Sequence, residues 1–295
     1  MPTISQAINE GASRLRAAAP DHERRTAGVL LAQVLGVDRT HLLTRSDEHI
    51  TGSQYEDYLR FIERRAAGEP LQYITGHQEF YGLDFRVTPA VLIPRPETEF
   101  LVERIIKLMD DSMPSPLIVD VGTGSGCIAV SLAVNVSRAR VIATDLSGAA
   151  LEVAQTNAER HGANDRIEFL QGDLLEPLET HHLEGTVDVL ASNPPYVNER
   201  HAELIQREVS GWEPREALFG GVEGLDFYRR LLVEALIFVK PGGYMIFEIG
   251  YNQLDAIMEI IAALEWEQVD VVNDLQGIPR TVTLRKPGSV RLLSC

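Results

Sequence analysis

The stretch "VDVLASNPPYVNE", residues 187–199, is apolar until it stops on Asn193-Pro194-Pro195-Tyr196. Two prolines end a buried strand, because neither has an N–H for a sheet ladder and the first pushes Asn193 toward extended backbone. These residue types suit the holding of a planar NH₂ group, whose nitrogen is a poor nucleophile because its lone pair is delocalised. The Asn193 side-chain oxygen and the Pro194 carbonyl can accept the two hydrogens, with the proline ring fixing the carbonyl's direction. Pro195 stiffens the turn, and Tyr196 offers a face on which a flat amide or base can stack. The nitrogen is left facing an electrophile, and positioning can then supply much of the acceleration without a strong general base. Taken alone, the tetrapeptide would also serve as a plain strand end capped by a tyrosine.

The electrophile is suggested by "VDVGTGSGCIAV", which sets Gly122, Thr123, Gly124, Ser125 and Gly126 between a strand and a helix. The dinucleotide fingerprint would need glycine at 127, where Cys127 stands, and no Gly-Lys-Ser/Thr follows to make a Walker loop. Glycines allow close backbone approach to a ligand without demanding phosphate. Asp145 ends the next strand at about the interval, ~20 residues, where an acidic side chain accepts ribose hydroxyls in a doubly wound sheet. Asp173, in "FLQGDLL", ends the strand after that and is placed for the adenine end. An adenosine ligand without a pyrophosphate fits this set, which points to S-adenosylmethionine, whose sulfonium methyl is already electrophilic.

Several elements must position these residues. After Pro116, strand-like "LIVDV", "RVIAT", "RIEFLQ", "VDVLAS" and "YMIFEIG" alternate with helical "CIAVSLAVN", "ALEVAQTNAERHG" and "LDFYRRLLVEALIFV", the last stopping at Lys240-Pro241-Gly242-Gly243. Such alternation predicts an α/β fold with a parallel sheet covered on both faces. "WEQVDVVND" and "RTVTLRK" are expected to pair as antiparallel strands at one edge. The first 70 or so residues read as four or five short helices, one opening at Asp21 as N-cap and another from Ser53. "LQYITGHQEFYGLDFRVTPAVLIP" reads as a hairpin turning at Tyr81-Gly82-Leu83-Asp84, followed by a helix from Glu97 to Leu108. The expected organisation is a helical domain at 1–72, a hairpin linker at 73–92 and an α/β domain at 93–295.

Composition narrows the function classes. No apolar run is long enough to span a bilayer, and the N-terminus lacks the layout of a secretory signal. Cys127 and Cys295 give neither a disulfide framework nor metal-ligand spacing, so a reduced, cytoplasmic, metal-free protein is expected. The 27 basic and 43 acidic residues leave a net charge of −16. Such a chain is repelled by phosphate backbones unless its basic residues cluster, and no Lys/Arg run exceeds a pair.

The clamp by itself does not separate glutamine from adenine or cytosine. "FYGLDFRVTPAVLIPRPETE", "VGTGSG", "SNPPYV", "EPREALFGGVEGLDFYRRLL", "FEIGYNQ" and "DLQGIPRTV", in this order over almost the whole chain, resemble the bacterial peptide chain release factor glutamine methyltransferases, the PrmC/HemK family. The resemblance implies a class I (Rossmann-like) S-adenosylmethionine-dependent methyltransferase domain preceded by a helical domain that engages the release factor. The implied reaction is N5-methylation of the glutamine in the Gly-Gly-Gln loop of release factors 1 and 2, leaving S-adenosylhomocysteine. Carried over to this chain, Gly122 through Gly126, Asp145 and Asn193 would bind the cofactor, and Asn193 through Tyr196 the substrate glutamine. Asp173 and Leu174 would lie at the adenine, where some members have an aromatic residue in place of Leu174. "IPRPETE" and "GIPR" favour this branch over a related ribosomal-protein glutamine methyltransferase, and Arg95 and Glu97 are expected to line the substrate site. The protein is expected to act as a monomer, without a membrane or nucleic-acid substrate. An exocyclic-amine nucleic-acid methyltransferase and a non-catalytic cofactor-binding scaffold are the rival readings.

Overall fold

In a computed structural model of the chain, residues 1–16, 22–109 and 113–288 are described. The expected N-cap Asp21 and the tail that includes Cys295 lie outside them. The elements begin with helices α1 (Ile4–Leu15), α2 (Glu23–Leu35), α3 (Arg39–Thr44), α4 (Gly52–Ala66) and α5 (Leu71–Thr75). Strands β1 (His77–Phe80) and β2 (Leu83–Arg86) follow, then α6 (Glu99–Leu108), β3 (Leu117–Val121), α7 (Cys127–Asn135), β4 (Arg140–Asp145), α8 (Gly148–Arg160) and β5 (Ile167–Gln171). The remainder comprises α9 (Glu176–Thr180), β6 (Val187–Ser192), α10 (Arg207–Trp212), α11 (Arg215–Leu218), α12 (Asp226–Phe238), β7 (Val239–Glu248), α13 (Leu254–Ala262), β8 (Glu267–Asn273) and β9 (Pro279–Arg285). The chain divides into two compact units, one of residues 1–77 with 205–212 and one of residues 78–204 with 213–295.

The first unit is a helical bundle around Ile4, Leu15, Leu30, Leu31, Tyr58 and Ile62, all buried. Two of its helices, α1 and α4, start on capping boxes. Thr3 Oγ1 accepts from the Gln6 N–H while Gln6 Oε1 accepts from the Thr3 N–H, and Thr51 and Gln54 repeat the arrangement. The Thr51 box starts α4 at Gly52, ahead of the Ser53 start expected from the apolar period, because it satisfies two otherwise orphaned donors. Arg65 of α4 donates to the Glu69 carbonyl at 2.8 Å and to Glu208 Oε2 at 2.7 Å, tying the returning segment 205–212 into this unit.

Leu71–Thr75, expected as the start of the hairpin, is instead a helical turn closed by Gly76 at φ +79°. The hairpin is therefore shorter and turns on Tyr81 and Gly82, both at positive φ, which suits a two-residue connection between twisted strands.

The second unit is built on a seven-stranded sheet of order β5-β4-β3-β6-β7-β9-β8. Strands β3 to β7 pair in parallel, and β9 and β8 close the edge antiparallel. Period-2 alternation divides the core between the two faces. Ile118, Val141, Ala143, Val189 and Ile246 pack with α6 and α7, while Val119, Ile142, Leu190, Met245 and Phe247 pack with α12 and α13. α12 ends at Phe238 and β7 starts at once, so the Lys240–Gly243 segment expected as a stop lies inside the strand. Pro241 is accommodated where the register with β6 shifts between Val187 and Val189.

Candidate active site

Strand order places β3 at the centre of the five parallel strands, with β4 and β5 on one side and β6 and β7 on the other. Ligands in open α/β sheets bind at such a reversal, outside the carboxyl ends of the strands. The register aligns those ends: Val121 lies opposite Thr144 and Ser192, and Ser192 opposite Phe247. The residues that follow, Gly122, Asp145, Asn193 and Glu248, therefore form one row along the crevice. Ser192 Oγ donates to the Val121 carbonyl at 2.8 Å and pins the two central ends together.

Gly122 and Gly124 have φ of +72° and +56°, and a Cβ built on either would meet nothing within 4 Å. The loop thus needs glycine for its backbone conformation and leaves open space above it. Gly126 caps α7. Asp120 at the foot of the loop is fully buried, and its Oδ2 accepts from Thr123 Oγ1 at 2.6 Å and from the Ala129 N–H at 3.1 Å. Its Oδ1 has no hydrogen-bond partner among the described residues. Burial pushes the Asp120 carboxyl up to about 7. Asp145 Oδ2 accepts from the Gly124 N–H at 2.8 Å and Oδ1 from the Ser147 N–H at 2.9 Å. Each oxygen keeps a further lone pair for a hydroxyl, and burial raises this carboxyl too.

At the clamp, Asn193 Nδ2 donates to Thr98 Oγ1 at 3.0 Å. Its Oδ1 and the Pro194 carbonyl accept no hydrogen bond among the described residues. Thr98 Oγ1 in turn donates to Glu248 Oε2 at 2.6 Å, and the Tyr196 hydroxyl approaches Glu248 Oε1 at 3.4 Å. The Gln253 amide donates to the Tyr196 carbonyl at 3.0 Å and to the Gly224 carbonyl at 3.1 Å. Gly220 and Gly224 are required by this packing, since a Cβ there would lie 2.4 Å from the Pro195 carbonyl oxygen and 2.3 Å from that of Tyr196. Beside the clamp is a cleft of ≈ 360 Å³ lined by Tyr196, Val197, Glu223, Leu225, Tyr251 and Gln253, among others.

Glu248 is fully buried at the end of β7. Burial pushes its carboxyl up to about 7, against the Thr98 hydrogen bond and the nearby Arg280. Burial and the Glu248 charge both raise the Tyr196 phenol. Neither Thr98 nor Glu248 was singled out from sequence. Glu248 had a signal, an acid closing an otherwise apolar strand in "YMIFEIG", the same feature that marked Asp145. Thr98 had none beyond its place in "RPETE".

Other expected site residues have different surroundings. Arg95 donates to Glu213 Oε1 at 2.5 Å, and Glu213, which also accepts from the Ile93 N–H, is buried. Arg95 therefore anchors its own loop, although its charge is felt at Tyr196 together with that of Arg280. Glu97 is half-buried and contributes negative charge at Glu248. Asp173 lies two residues beyond the end of β5 and is paired with Arg230 at 2.7 Å, both side chains being partly exposed. Leu174 adopts φ +48° and its carbonyl accepts from Thr144 Oγ1 at 3.0 Å. Leu146, not anticipated, stands exposed directly after Asp145.

A glycine loop, a ribose-spaced acid and an acceptor clamp at the reversal of a mostly parallel sheet define a Rossmann-like methyltransferase. A "Methyltransferase small domain" matches residues 96–210 and a "PrmC N-terminal domain" matches residues 6–76. A crystal structure of a methyltransferase from Pyrococcus furiosus shares the fold, with 22% identity and a TM-score of 0.51 over 70% of this chain and 91% of that one. The chain is 45% identical to the release factor glutamine methyltransferase of Koribacter versatilis, over 97% of this chain and all of that protein. It is 44% identical to that of Moorella thermoacetica, over 94% and 96%. The chain belongs to the release factor glutamine methyltransferase family.

Proposed function

We propose that this protein transfers the methyl group of S-adenosylmethionine to the side-chain amide nitrogen (N5) of the glutamine in the Gly-Gly-Gln loop of release factors 1 and 2. The observation that carries the reading is the polarity of Asn193. With Nδ2 committed to Thr98, Oδ1 and the carbonyl of the next residue, Pro194, are two acceptors without a partner among the described residues, matched in number to the two hydrogens of a primary amide. Tyr196 supplies the adjoining flat surface, and the neighbouring cleft has room for the glycines that precede the glutamine.

The glycine loop fits the cofactor on its own geometry. The space above Gly122 and Gly124 is open, and Asp120 Oδ1 is a buried polar atom without a partner among the described residues. Asp145 would take the ribose hydroxyls, with Leu146 as an apolar surface beside the base and Asp173 and Leu174 toward its far edge. When bound, S-adenosylmethionine supplies a methyl group that needs no further activation. Asn193 and Pro194 would hold the two hydrogens of the glutamine amide, leave its nitrogen free to face the cofactor and exclude other rotamers of the amide. The cofactor would supply the methyl group and its sulfonium leaving group, and would be left as S-adenosylhomocysteine. The N-methylated amide, strongly acidic while it carries its extra proton, sheds it without a buried base.

The protein is proposed to work as a cytoplasmic monomer, with the helical unit docking the release factor. Among the described residues no helix is long and apolar enough to cross a membrane. The net charge of −16 disfavours a nucleic-acid substrate. The test is mass spectrometry of a purified release factor after incubation with this protein and S-adenosylmethionine. One added methyl on the Gly-Gly-Gln glutamine is expected. An unmodified release factor, with cofactor binding intact, overturns the reading and directs the search to ribosomal proteins and then to exocyclic amines of nucleic acids.

A further inference from the structure

We propose that Glu248, acting through the Thr98 hydroxyl, is a positioning residue that sets which end of the Asn193 amide faces the substrate. The inference rests on Asn193 serving as the clamp for a substrate amide. A threonine hydroxyl has one proton and two acceptor sites. An ionised carboxylate only accepts, so at 2.6 Å from Glu248 Oε2 the Thr98 proton points at Glu248. Thr98 Oγ1 then has only lone pairs to offer, and Asn193 must present Nδ2 to it, which it does at 3.0 Å. The acceptor Oδ1 is thereby turned to the crevice. Glu248 also takes the Tyr196 hydroxyl on its other oxygen, so one carboxylate holds two members of the clamp.

Protonation reverses the logic. A neutral Glu248 can donate to Thr98 Oγ1, which frees the hydroxyl proton to point at Asn193. A rotated Asn193 amide then satisfies Thr98 with Oδ1 and presents NH₂ to the crevice, where it opposes the NH₂ of a substrate amide. The groups facing Glu248 decide its charge. Thr98 and Glu97 come from the turn before α6, Tyr196 from the loop after β6, and Arg280 from β9. The Tyr228 hydroxyl of α12 donates to the Glu248 carbonyl at 2.9 Å, and Cys127 of α7 lies within reach of its charge. Arg280 and the hydrogen bonds favour the carboxylate, while burial and Glu97 oppose it, and the carboxyl titrates at about 7.

Two readouts test this, one of which needs no substrate. In full-length protein labelled with ¹⁵N at asparagine, with the Asn193 signal assigned by its loss in Asn193→Ala, the side-chain amide should shift between about pH 5.5 and pH 8.5 with a midpoint near the Glu248 titration. The shift should vanish in Glu248→Gln and in Thr98→Val. In turnover at saturating cofactor, wild-type kcat should fall as pH drops through that range, and Glu248→Gln, which removes the titrating group, should flatten this limb. Loss of the relay in Thr98→Val should lower kcat about tenfold or more, while Thr98→Ser, which retains the hydroxyl, should stay within about twofold. A pH-independent Asn193 signal in the wild type overturns the relay, as does an unaltered acid limb in Glu248→Gln. A titrating Asn193 in a protein that leaves release factors unmethylated removes the substrate assignment and leaves the relay standing.

Discussion

Asn193 is ambivalent by itself, since an amide can turn either its oxygen or its nitrogen toward a ligand. The Thr98 contact removes that freedom and makes the side chain an acceptor. Truncation should therefore affect transfer much more than cofactor binding. Asn193→Ala is expected to lower kcat about a hundredfold or more, in line with the loss of a preorganised polar group, while calorimetry still detects S-adenosylmethionine binding. An unchanged methylation rate would remove the clamp from the mechanism. Asp145 is predicted to behave in the opposite way. Its oxygens accept the Gly124 and Ser147 N–H groups and hold the loop as well as offering sites to a ribose. Asp145→Ala should weaken cofactor affinity about tenfold or more, by the usual worth of hydrogen bonds to a charged group. Equal affinities by titration calorimetry would move the ribose site elsewhere.

The elements matter here because their ends meet. The carboxyl ends of β3, β4, β6 and β7 lie side by side through parallel register and bring Gly122, Asp145, Asn193 and Glu248 to the crevice. The segment 218–226 packs beneath the clamp, joined to it by the Val197 N–H to Leu218 carbonyl bond at 2.8 Å and the Gly220 N–H to Val197 carbonyl bond at 3.0 Å. Gly224 touches the Tyr196 carbonyl at φ +74° and has no room for a methyl. Gly224→Ala should thus displace Tyr196 and cost about 1–3 kcal/mol of stability from backbone strain and overpacking. Its kcat should fall severalfold while cofactor affinity, set by the loop after β3, is largely kept. Chemical denaturation alongside turnover measures both, and a variant with wild-type kcat would show that the loop does not support the clamp.

At the scale of the whole molecule, two buried carboxyls govern the response to pH. Asp120 and Glu248 are both raised to about 7 by burial, so the native chain holds these protons more tightly than the unfolded one. Their contribution is full below the unfolded carboxyl range and is lost as pH rises from about 4 through 7, by about 3–4 kcal/mol each. Urea denaturation of the cofactor-free protein should show this decline, and Asp120→Asn should reduce it by about half, the Glu248 share remaining. Parallel declines in both proteins would mean that Asp120 is not responsible. The helical unit, with its own core and its own ion pair between Arg65 and Glu208, is proposed as the docking module. Deleting residues 1–70 should impair methylation of intact release factor much more than that of a short Gly-Gly-Gln peptide. Equal losses on both substrates would make that unit structural support.

Much of the architecture could be read along the chain because its signals are local. The alternation of apolar strands with helical periods after Pro116 specifies a parallel sheet, and glycine or proline punctuation marks the strand ends where Gly122, Asp145 and Asn193 stand. Local signals also misled where two conformations compete. Leu71–Thr75 carries strand-forming residues yet closes as a helical turn on Gly76, and Thr51 starts α4 ahead of the apolar period. The pairing of Arg95 with Glu213 and of Asp173 with Arg230 could not be read at all, since each partner lies on a distant segment. What the sequence determined by itself is the set of chemical parts: a glycine loop, an acid at ribose spacing, and two acceptors beside an aromatic ring. Only the tertiary structure decided how those parts are aimed. The direction of the Asn193 amide depends on a hydroxyl proton at Thr98, which depends on a carboxylate 150 residues further along the chain at Glu248. A hydrogen bond has a donor and an acceptor end, and which end each group presents is settled by all its neighbours in space.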